Sequence, residues 1–366
     1  MMKKIKLFDP VISKDEEKQI KNVLKSGFWA SGSGEGNVKK FENKFTKFIN
    51  SKDCVSVNSG TAALHLALSL LDIKNKEVIV PSLSFVSTVH AILYNQGIPV
   101  FTDIDKNTLN LDPKKIEKNI TRKTKVIIPV HFGGYPAEIN QIKKIAQNHN
   151  LEVVEDAAHA CGAKFNEKRI GSLSSLVCFS FHPVKNLAMP NGGLVSLNSK
   201  KSKIWRKKLD SLRWCGISNR DGVKYDVKYL GWNYYMNEFS AAIGLQQLKK
   251  LDRLNSKRRK IAQRYFNELK ITEKMNFNKN AVYHFYWILV DNREKFRNKM
   301  KQKGIETGIH YLPIHKFSFY KNSIKLDNTD YVSKRIVTIP THPNLSDSDV
   351  DYIINMINKE KNETYI

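Results

Sequence analysis

The sequence predicts an α/β protein: a large domain built on a mostly parallel, mixed sheet flanked by helices, then a smaller C-terminal α+β domain. Three observations carry this. Helix-period segments alternate with short β-rich runs through the first two thirds of the chain, the layout of a largely parallel sheet covered by helices. A length of 366 residues corresponds to about two domains rather than one. The texture then changes after the helical pattern EFSAAIGLQQLKKLDRLNSKRRKIAQRYF, which puts the boundary between 1–249 and 250–366.

The elements follow in order. Residues 13–25 read as an amphipathic helix and 38–48 as another. The bridge between them, Ser31-Gly32-Ser33-Gly34-Glu35-Gly36, is glycine-rich and flexible enough to border a site. Residues 54–57 form a strand, Asn58-Ser59-Gly60-Thr61 a turn, and 62–71 the helix that the turn opens. Further strands are expected at 77–80, 99–102, 125–129, 151–155, 177–181 and 194–197. Helices fill several of the gaps, including 139–148. Internal repeats and low-complexity stretches are absent.

Composition narrows the function classes. Hydrophobic residues make up 41% and aromatics 10%, values of a globular chain with no segment poor enough in apolar residues to be disordered. The N-terminus MMKKIKLFDPVISKDEEKQI lacks the apolar core of a secretory signal. Apolar runs such as KVIIPV are far shorter than the roughly 20 residues that span a bilayer. A cytoplasmic protein without membrane insertion is therefore expected. Four cysteines, Cys54, Cys161, Cys178 and Cys215, are far apart with no CxxC pair, which suggests buried thiols rather than a zinc site or a disulfide framework. The 61 Lys and Arg against 35 Asp and Glu give a net charge of +26, enough to raise the question of polyanion binding. The lysines are spread through nearly every polar segment, which fits solvated faces better than a dedicated nucleic-acid patch.

Chemistry concentrates where strands end, because in open α/β sheets ligands gather at the carboxyl edge. Four segments qualify. Ser59-Gly60-Thr61-Ala62 offers backbone N–H groups at a helix start, able to hold a phosphate, although such a start is also an ordinary cap. Glu155-Asp156-Ala157-Ala158-His159 follows the apolar run LEVV and puts a carboxylate and an imidazole in one loop, with small alanines leaving room for a flat ligand. Ser180-Phe181-His182-Pro183-Val184-Lys185 sets a hydroxyl five positions ahead of an amine. Pro81-Ser82-Leu83-Ser84-Phe85-Val86-Ser87-Thr88 adds an aromatic ring. Singly, each has a bland reading as cap, acidic turn, surface lysine or core aromatic. Together they supply a phosphate cup, an aryl stacking partner, a carboxylate for a ring nitrogen and an amine for an aldehyde, the requirements of pyridoxal 5'-phosphate.

The same pieces occur in an order that resembles the DegT/DnrJ/EryC1/StrS family of sugar aminotransferases. The resemblance rests on NSGTAALHLAL, PSLSFVSTVHAI, PVFTDIDKNTLNLDPKKIE, VEDAAHACGAKF, CFSFHPVKN, YLGWNYYMNEFSAAIGLQQL and GIETGIHYLPIH, seven blocks spanning positions 58–315. It implies the aspartate-aminotransferase-like fold, fold type I, in homodimers whose active sites lie at the subunit interface. Lys185 matches the lysine that condenses with the cofactor aldehyde and moves the substrate proton. Asp156 matches the carboxylate that keeps the pyridine nitrogen protonated. His159 matches a Gln or His that contacts the phenolic oxygen. Ser180, with the backbone of Gly60, Thr61 and Ala62, matches the phosphate cup, and Phe85 an aromatic stacked on the ring. Asn233 matches an asparagine that the neighbouring subunit extends to the phosphate. His310 and Tyr311 match a loop on the substrate side. His182 is left as a structural residue.

Two departures stand out. Relatives commonly carry an acidic residue before the glycine pair, where this chain has Asn191, and a basic residue two positions after the asparagine, where it has Tyr235. The resemblance implies transfer of an amino group, with glutamate as donor, to a nucleotide-linked keto sugar, for a surface glycan such as lipopolysaccharide or for a secondary metabolite. An alternative on the same fold is a pyridoxamine-dependent sugar dehydratase, but such relatives have histidine at the lysine position. A noncatalytic polyanion-binding regulator is the alternative from another class.

Overall fold

The computed structural model describes residues 4–320 and 324–363. Its centre is a seven-stranded sheet made of β1 (Asp53–Val57), β2 (Glu77–Pro81), β3 (Ile98–Thr102), β4 (Thr124–Ile127), β5 (Glu152–Asp156), β6 (Leu176–Ser180) and β7 (Gly193–Leu197). Their order across the sheet is β1-β7-β6-β5-β4-β2-β3. The ladder from β3 to β6 is parallel, while β7 runs antiparallel between β6 and β1. The sheet is thus mixed and mostly parallel.

Burial on both faces explains the near-continuous apolar strands. Successive residues alternate sides: Val78 and Val80 join one cluster, whereas Ile79, flanked by them, joins another with Ile127 and Val153. The helices α1 (Lys14–Ser26), α2 (Gly36–Ile49), α3 (Gly60–Leu68), α4 (Ser87–Tyr94), α5 (Ile139–Asn148) and α6 (Ser202–Leu212) surround it. On one face the apolar sides of α3, α4 and α6 cover the sheet; on the other, Val38, Phe41, Phe45 and Ile49 of α2 pack against Phe179 and Leu194. From Ala62 to Leu68 every residue of α3 is buried, which accounts for a helix apolar all round.

Helix α7 (Glu238–Glu268) is 31 residues long and starts on an Asn237 cap whose side chain accepts from Ser240 N–H. It runs through the expected boundary at 249/250 without a break. Beyond it, β8 (Tyr286–Leu289) and β9 (Ile336–Ile339) pair antiparallel, with α8 (Arg293–Gln302), α9 (Asp327–Arg335) and α10 (Asp347–Glu363) around them. Ile5 belongs to this C-terminal core, where it bridges to Ile305, so the chain's start packs with its end.

Two expectations change. The helix opened by Ser59 stops at Leu68 rather than 71, because Ser69 Oγ turns back to donate to Leu66 C=O (2.8 Å). The glycine-rich bridge is a packed strap and not a border of the cavity described below. Gly34 has a left-handed backbone, φ +72°, and a Cβ there would meet the Arg213 guanidinium at 2.2 Å. The Glu238 carboxylate accepts from Asn37 N–H (2.7 Å) and Val38 N–H (3.2 Å), holding the start of α2. Cys54, Cys161 and Cys178 are buried, Cys215 is exposed, and all four are free thiols. Among the described residues no helix is long and apolar enough to cross a membrane, and no cluster could hold a metal ion.

Candidate active site

Strands β1, β2, β4, β5 and β6 all end at one edge of the sheet, and β7 begins there because it runs the opposite way. Loops leaving this edge enclose a cavity of about 300 Å³.

At the end of β1, Ser59 caps α3 by accepting Ala62 N–H on Oγ (3.1 Å). The amides of Gly60 and Thr61 lie outside the helix ladder and at its positive end. A Cβ on Gly60 would sit 2.7 Å from Ser180 Cβ, so glycine is what lets the Ser180 side chain come down on the helix start. Gly60, Thr61 and Ser180 line the same cavity, an arrangement of donors suited to a phosphate. Thr61 Oγ1–H donates to Ser87 Oγ (2.8 Å), bringing a further hydroxyl to this rim. Ala62 does not join them: it is 2% exposed and its amide is occupied by Ser59.

At the end of β5, the Asp156 carboxylate accepts from Thr88 Oγ1–H (2.8 Å) and from Ala158 N–H (3.1 Å). Ser84 in turn bonds Thr88 (2.8 Å). Burial pushes the Asp156 carboxyl above its ordinary value, opposed by these two hydrogen bonds and by the charges of Lys185 and His131. Both bonds are accepted, so they select the ionised form, ready for a protonated ring nitrogen.

After β6 the chain turns, Lys185 N–H bonding His182 C=O (2.8 Å). The next residue anchors it: Asn186 Nδ2 donates to Asn255 Oδ1 (2.8 Å) and Val282 C=O (2.9 Å), and Asn255 Nδ2 to Cys161 C=O (3.0 Å). Lys185 is thereby held at the cavity wall, and its amine bonds no side chain among the described residues. Burial lowers its pKa from 10.5 to about 8, with Asp156 pulling the other way. At pH 7 this raises the share of neutral, nucleophilic amine by roughly 300-fold.

His159 is buried and neutral, burial driving its pKa well below 6.5 with Lys185 and two histidines adding to it. Its Nδ1 accepts Gly133 N–H (3.3 Å) and its Nε2 meets the Tyr311 hydroxyl (3.0 Å). Phe85 is 55% exposed, and its ring borders the cavity 5.9 Å from that of Tyr311. Gly60, Thr61, Phe85, Asp156, His159, Ser180, Lys185, His310 and Tyr311 therefore share one cavity. His182, set aside as structural, also lines it, and so does Asn191, where relatives carry an acid. Asn233 is exposed and lies off the lining, its carbonyl accepting from Asn58 Nδ2 (3.2 Å). Ser84 and Thr88 were not singled out from sequence, although their spacing of four about a helix start stacks two hydroxyls on one side.

These residues fit pyridoxal phosphate on this chain's own geometry: an anion cradle with no room for a Cβ on Gly60, a carboxylate held by two donors, an exposed aromatic face and an amine that bonds no side chain among the described residues.

Comparison with known proteins agrees. The model of the DegT/DnrJ/EryC1/StrS aminotransferase family matches residues 10–358. The chain is 35% identical over 371 residues to the spore coat polysaccharide biosynthesis protein SpsC of Bacillus subtilis, covering 95% of each. It superposes on PseC of Helicobacter pylori, an aminotransferase involved in the biosynthesis of pseudoaminic acid, with TM-score 0.93 and 26% identity over 99% of this chain and 100% of that one. The PMP-form of the sugar aminotransferase Spr1654 from Streptococcus pneumoniae gives TM-score 0.94 and 26% identity, covering 99% of both.

Proposed function

The chain belongs to the DegT/DnrJ/EryC1/StrS aminotransferase family and is a pyridoxal-phosphate-dependent sugar aminotransferase of fold type I, and from that premise we propose that it aminates a nucleotide-linked keto sugar with glutamate as donor. The observation that carries the reading is the buried Lys185 amine, bonded to no side chain among the described residues, on a cavity that also holds the Asp156 carboxylate. Bound there, pyridoxal phosphate supplies an electron sink for the carbon that loses a proton. The Gly60 and Thr61 amides and the Ser180 hydroxyl hold its phosphate, Phe85 covers one ring face, and Asp156 keeps a proton on the ring nitrogen. Lys185, neutral in a large enough fraction to act as a base, removes the proton from the donor carbon and returns it to the acceptor carbon.

A keto sugar without its own charge gains nothing from the chain's positive field, whereas a nucleotide diphosphate gains from the +26 surface through steering. The names of SpsC and PseC, a spore coat polysaccharide protein and a pseudoaminic acid enzyme, support a product destined for a surface glycan. In this reading the enzyme is a cytoplasmic homodimer, and Asn233 of one copy completes the phosphate site of the other. Its exposure outside the cavity of its own chain is what such a role requires.

The test is a panel of nucleotide-linked keto sugars incubated with glutamate and followed by mass. An amino sugar with 2-oxoglutarate formed in equal amount is the expected result. Return of every keto sugar unchanged, or a deoxy-keto product, would overturn the proposal.

A further inference from the structure

A second cavity, of about 380 Å³, shares no lining residue with the active site. Three stretches of chain form it: the hairpin in which Lys164–Phe165 pairs with Lys168–Arg169, one face of α7, and the turn at Lys279 and Asn280. Each is set by local rules. The hairpin closes on Asn166 and Glu167, both with left-handed backbones (φ +48° and +61°), the two-residue turn whose twist suits paired antiparallel strands. On α7, Asp252 and Arg259 stand two helical turns apart and so share a face. The Asn278 side chain accepts Asn280 N–H (2.9 Å), and Asn280 C=O accepts Lys164 N–H (3.0 Å), which ties the turn to the hairpin. Gly162 lets the hairpin lie close on the helix, because a Cβ there would meet Asn255 Nδ2 at 2.6 Å.

The charges in this pocket do not cancel. Its cations are Lys164, Arg169, Arg259 and Lys279, and its acids are Glu167 and Asp252. Both acids are engaged. Arg169 donates to the two oxygens of Asp252 at 3.0 and 2.8 Å and lies over the Phe48 ring, 3.9 Å from its centroid, so this bidentate pair is held in place. Glu167 faces Lys164 at 3.5 Å. Arg259 and Lys279 are left over, and among the described residues neither side chain makes a hydrogen bond or an ion pair. Burial lowers the half-buried Arg259 guanidinium from its ordinary value and the charge of Arg169 adds to this, against Asp252 and Tyr283. The pocket thus contains a cation that has given up water without gaining a partner.

The complement of such a lining is an anion. Two uncompensated cations match a dianion, which a phosphate or its monoester is above about pH 7, whereas a monocarboxylate matches one. A guanidinium presents a fork of donors to two oxygens of a tetrahedral oxyanion, and a lysine adds a point charge. The volume falls within the range of small-molecule pockets, so there is room for more than the bare ion. We propose that this pocket binds a phosphate group, free or carried on a small metabolite, with Arg259 and Lys279 as its cationic partners. It takes no part in the amination itself, and the assignment does not depend on which sugar or donor the active site uses.

The experiment is a calorimetric titration of the holoenzyme, whose cofactor fills the phosphate cup at Gly60, with inorganic phosphate and with glucose 1-phosphate at about pH 8, sodium chloride keeping the ionic strength constant. One saturable site per chain is expected. Arg259→Gln weakens it at least about tenfold, and Lys279→Gln, on an exposed and flexible side chain, weakens it less. Arg259→Lys, which keeps the charge and loses the fork, falls between the native protein and Arg259→Gln. Lys40→Gln removes a charge outside the pocket and leaves the affinity unchanged. Tighter binding of the ester identifies a phosphorylated metabolite as the ligand, and equal affinity identifies free phosphate. Arg259→Gln makes no new cavity and breaks no native bond, so its unfolding midpoint stays at the native value and the variant remains a fair test. Affinity as high in Arg259→Gln as in the native protein, an equal loss in Lys40→Gln, or no saturable binding at constant ionic strength would overturn the proposal.

Discussion

Two buried polar clusters sit near the strand ends and are built in opposite ways. Around Glu42 the carboxylates meet cations: Arg213 at 2.6 Å and Arg206 at 2.7 Å reach its two oxygens, and Asp210 takes Arg206 at 2.7 Å and Arg213 at 2.8 Å. This cluster ties α2, β1 and α6 together through ion pairs made within the chain. Around Lys185 the amine bonds no side chain and the Asp156 carboxylate accepts only from neutral donors among the described residues, and His159 is neutral. Lys185 and Asp156 feel each other's charge without a bond between them, an arrangement that burial makes costly and that a ligand bonding both would relieve, while the first cluster is paired without one.

The difference can be broken from either side. Lys185→Ala should abolish covalent cofactor capture and lower amination by at least about 10⁴-fold, while the thermal unfolding midpoint of the apo protein does not fall, since no native bond of the amine is lost. Glu42→Gln should do the reverse. It removes one of the carboxylates that Arg213 and Arg206 share, leaving them to Asp210 and, for Arg206, Asp53, and lowers unfolding free energy by about 3 kcal/mol in denaturant titration, with the absorbance of the bound cofactor unchanged per folded molecule. The pH sign follows too: against burial, which pushes it up, Arg213 and Arg206 hold the Glu42 carboxyl below its ordinary 4.5. That stabilisation is present above about pH 4.5 and is lost as pH falls through the lower folded value. A smaller effect is expected from Gly60→Ala, whose Cβ forces Ser180 away from the helix start: cofactor affinity falls by about tenfold in equilibrium dialysis, with turnover at saturating cofactor largely kept. Smallest is the pH dependence of capture. The rate at which the apo protein takes up pyridoxal phosphate rises with pH and is half-maximal near 8, where the Lys185 amine titrates.

Much of the fold was legible because strands buried on both faces write themselves as unbroken apolar runs, and α5 has the very bounds, Ile139–Asn148, that its periodicity gives. What stopped α3 at Leu68 was not legible, since Leu70 and Leu71 continue the apolar pattern while Ser69 ends the helix by a local side-chain bond. In the site, strand-end motifs already named the residues that meet at the cavity, because each motif sits in one loop. Those that hold them were hidden. The Thr88 hydroxyl, itself bonded to Ser84, donates to Asp156 across 68 positions of sequence, Asn186 reaches Val282 across 96, and His284 stacks on His159 from another part of the chain. None of these pairings leaves a local trace. The glycine-rich bridge was misleading for the converse reason: its glycines serve close packing against Trp214 and Arg213 rather than freedom of motion.

The central claim is that the amine at 185 is the group the cavity was shaped to present. Incubating the protein with pyridoxal phosphate, reducing it with borohydride and mapping the modified peptide by mass tests this directly. The account predicts one cofactor per chain, attached to Lys185 in the peptide that begins near Ser180; attachment distributed over surface lysines, with Lys185 unmodified, would contradict it.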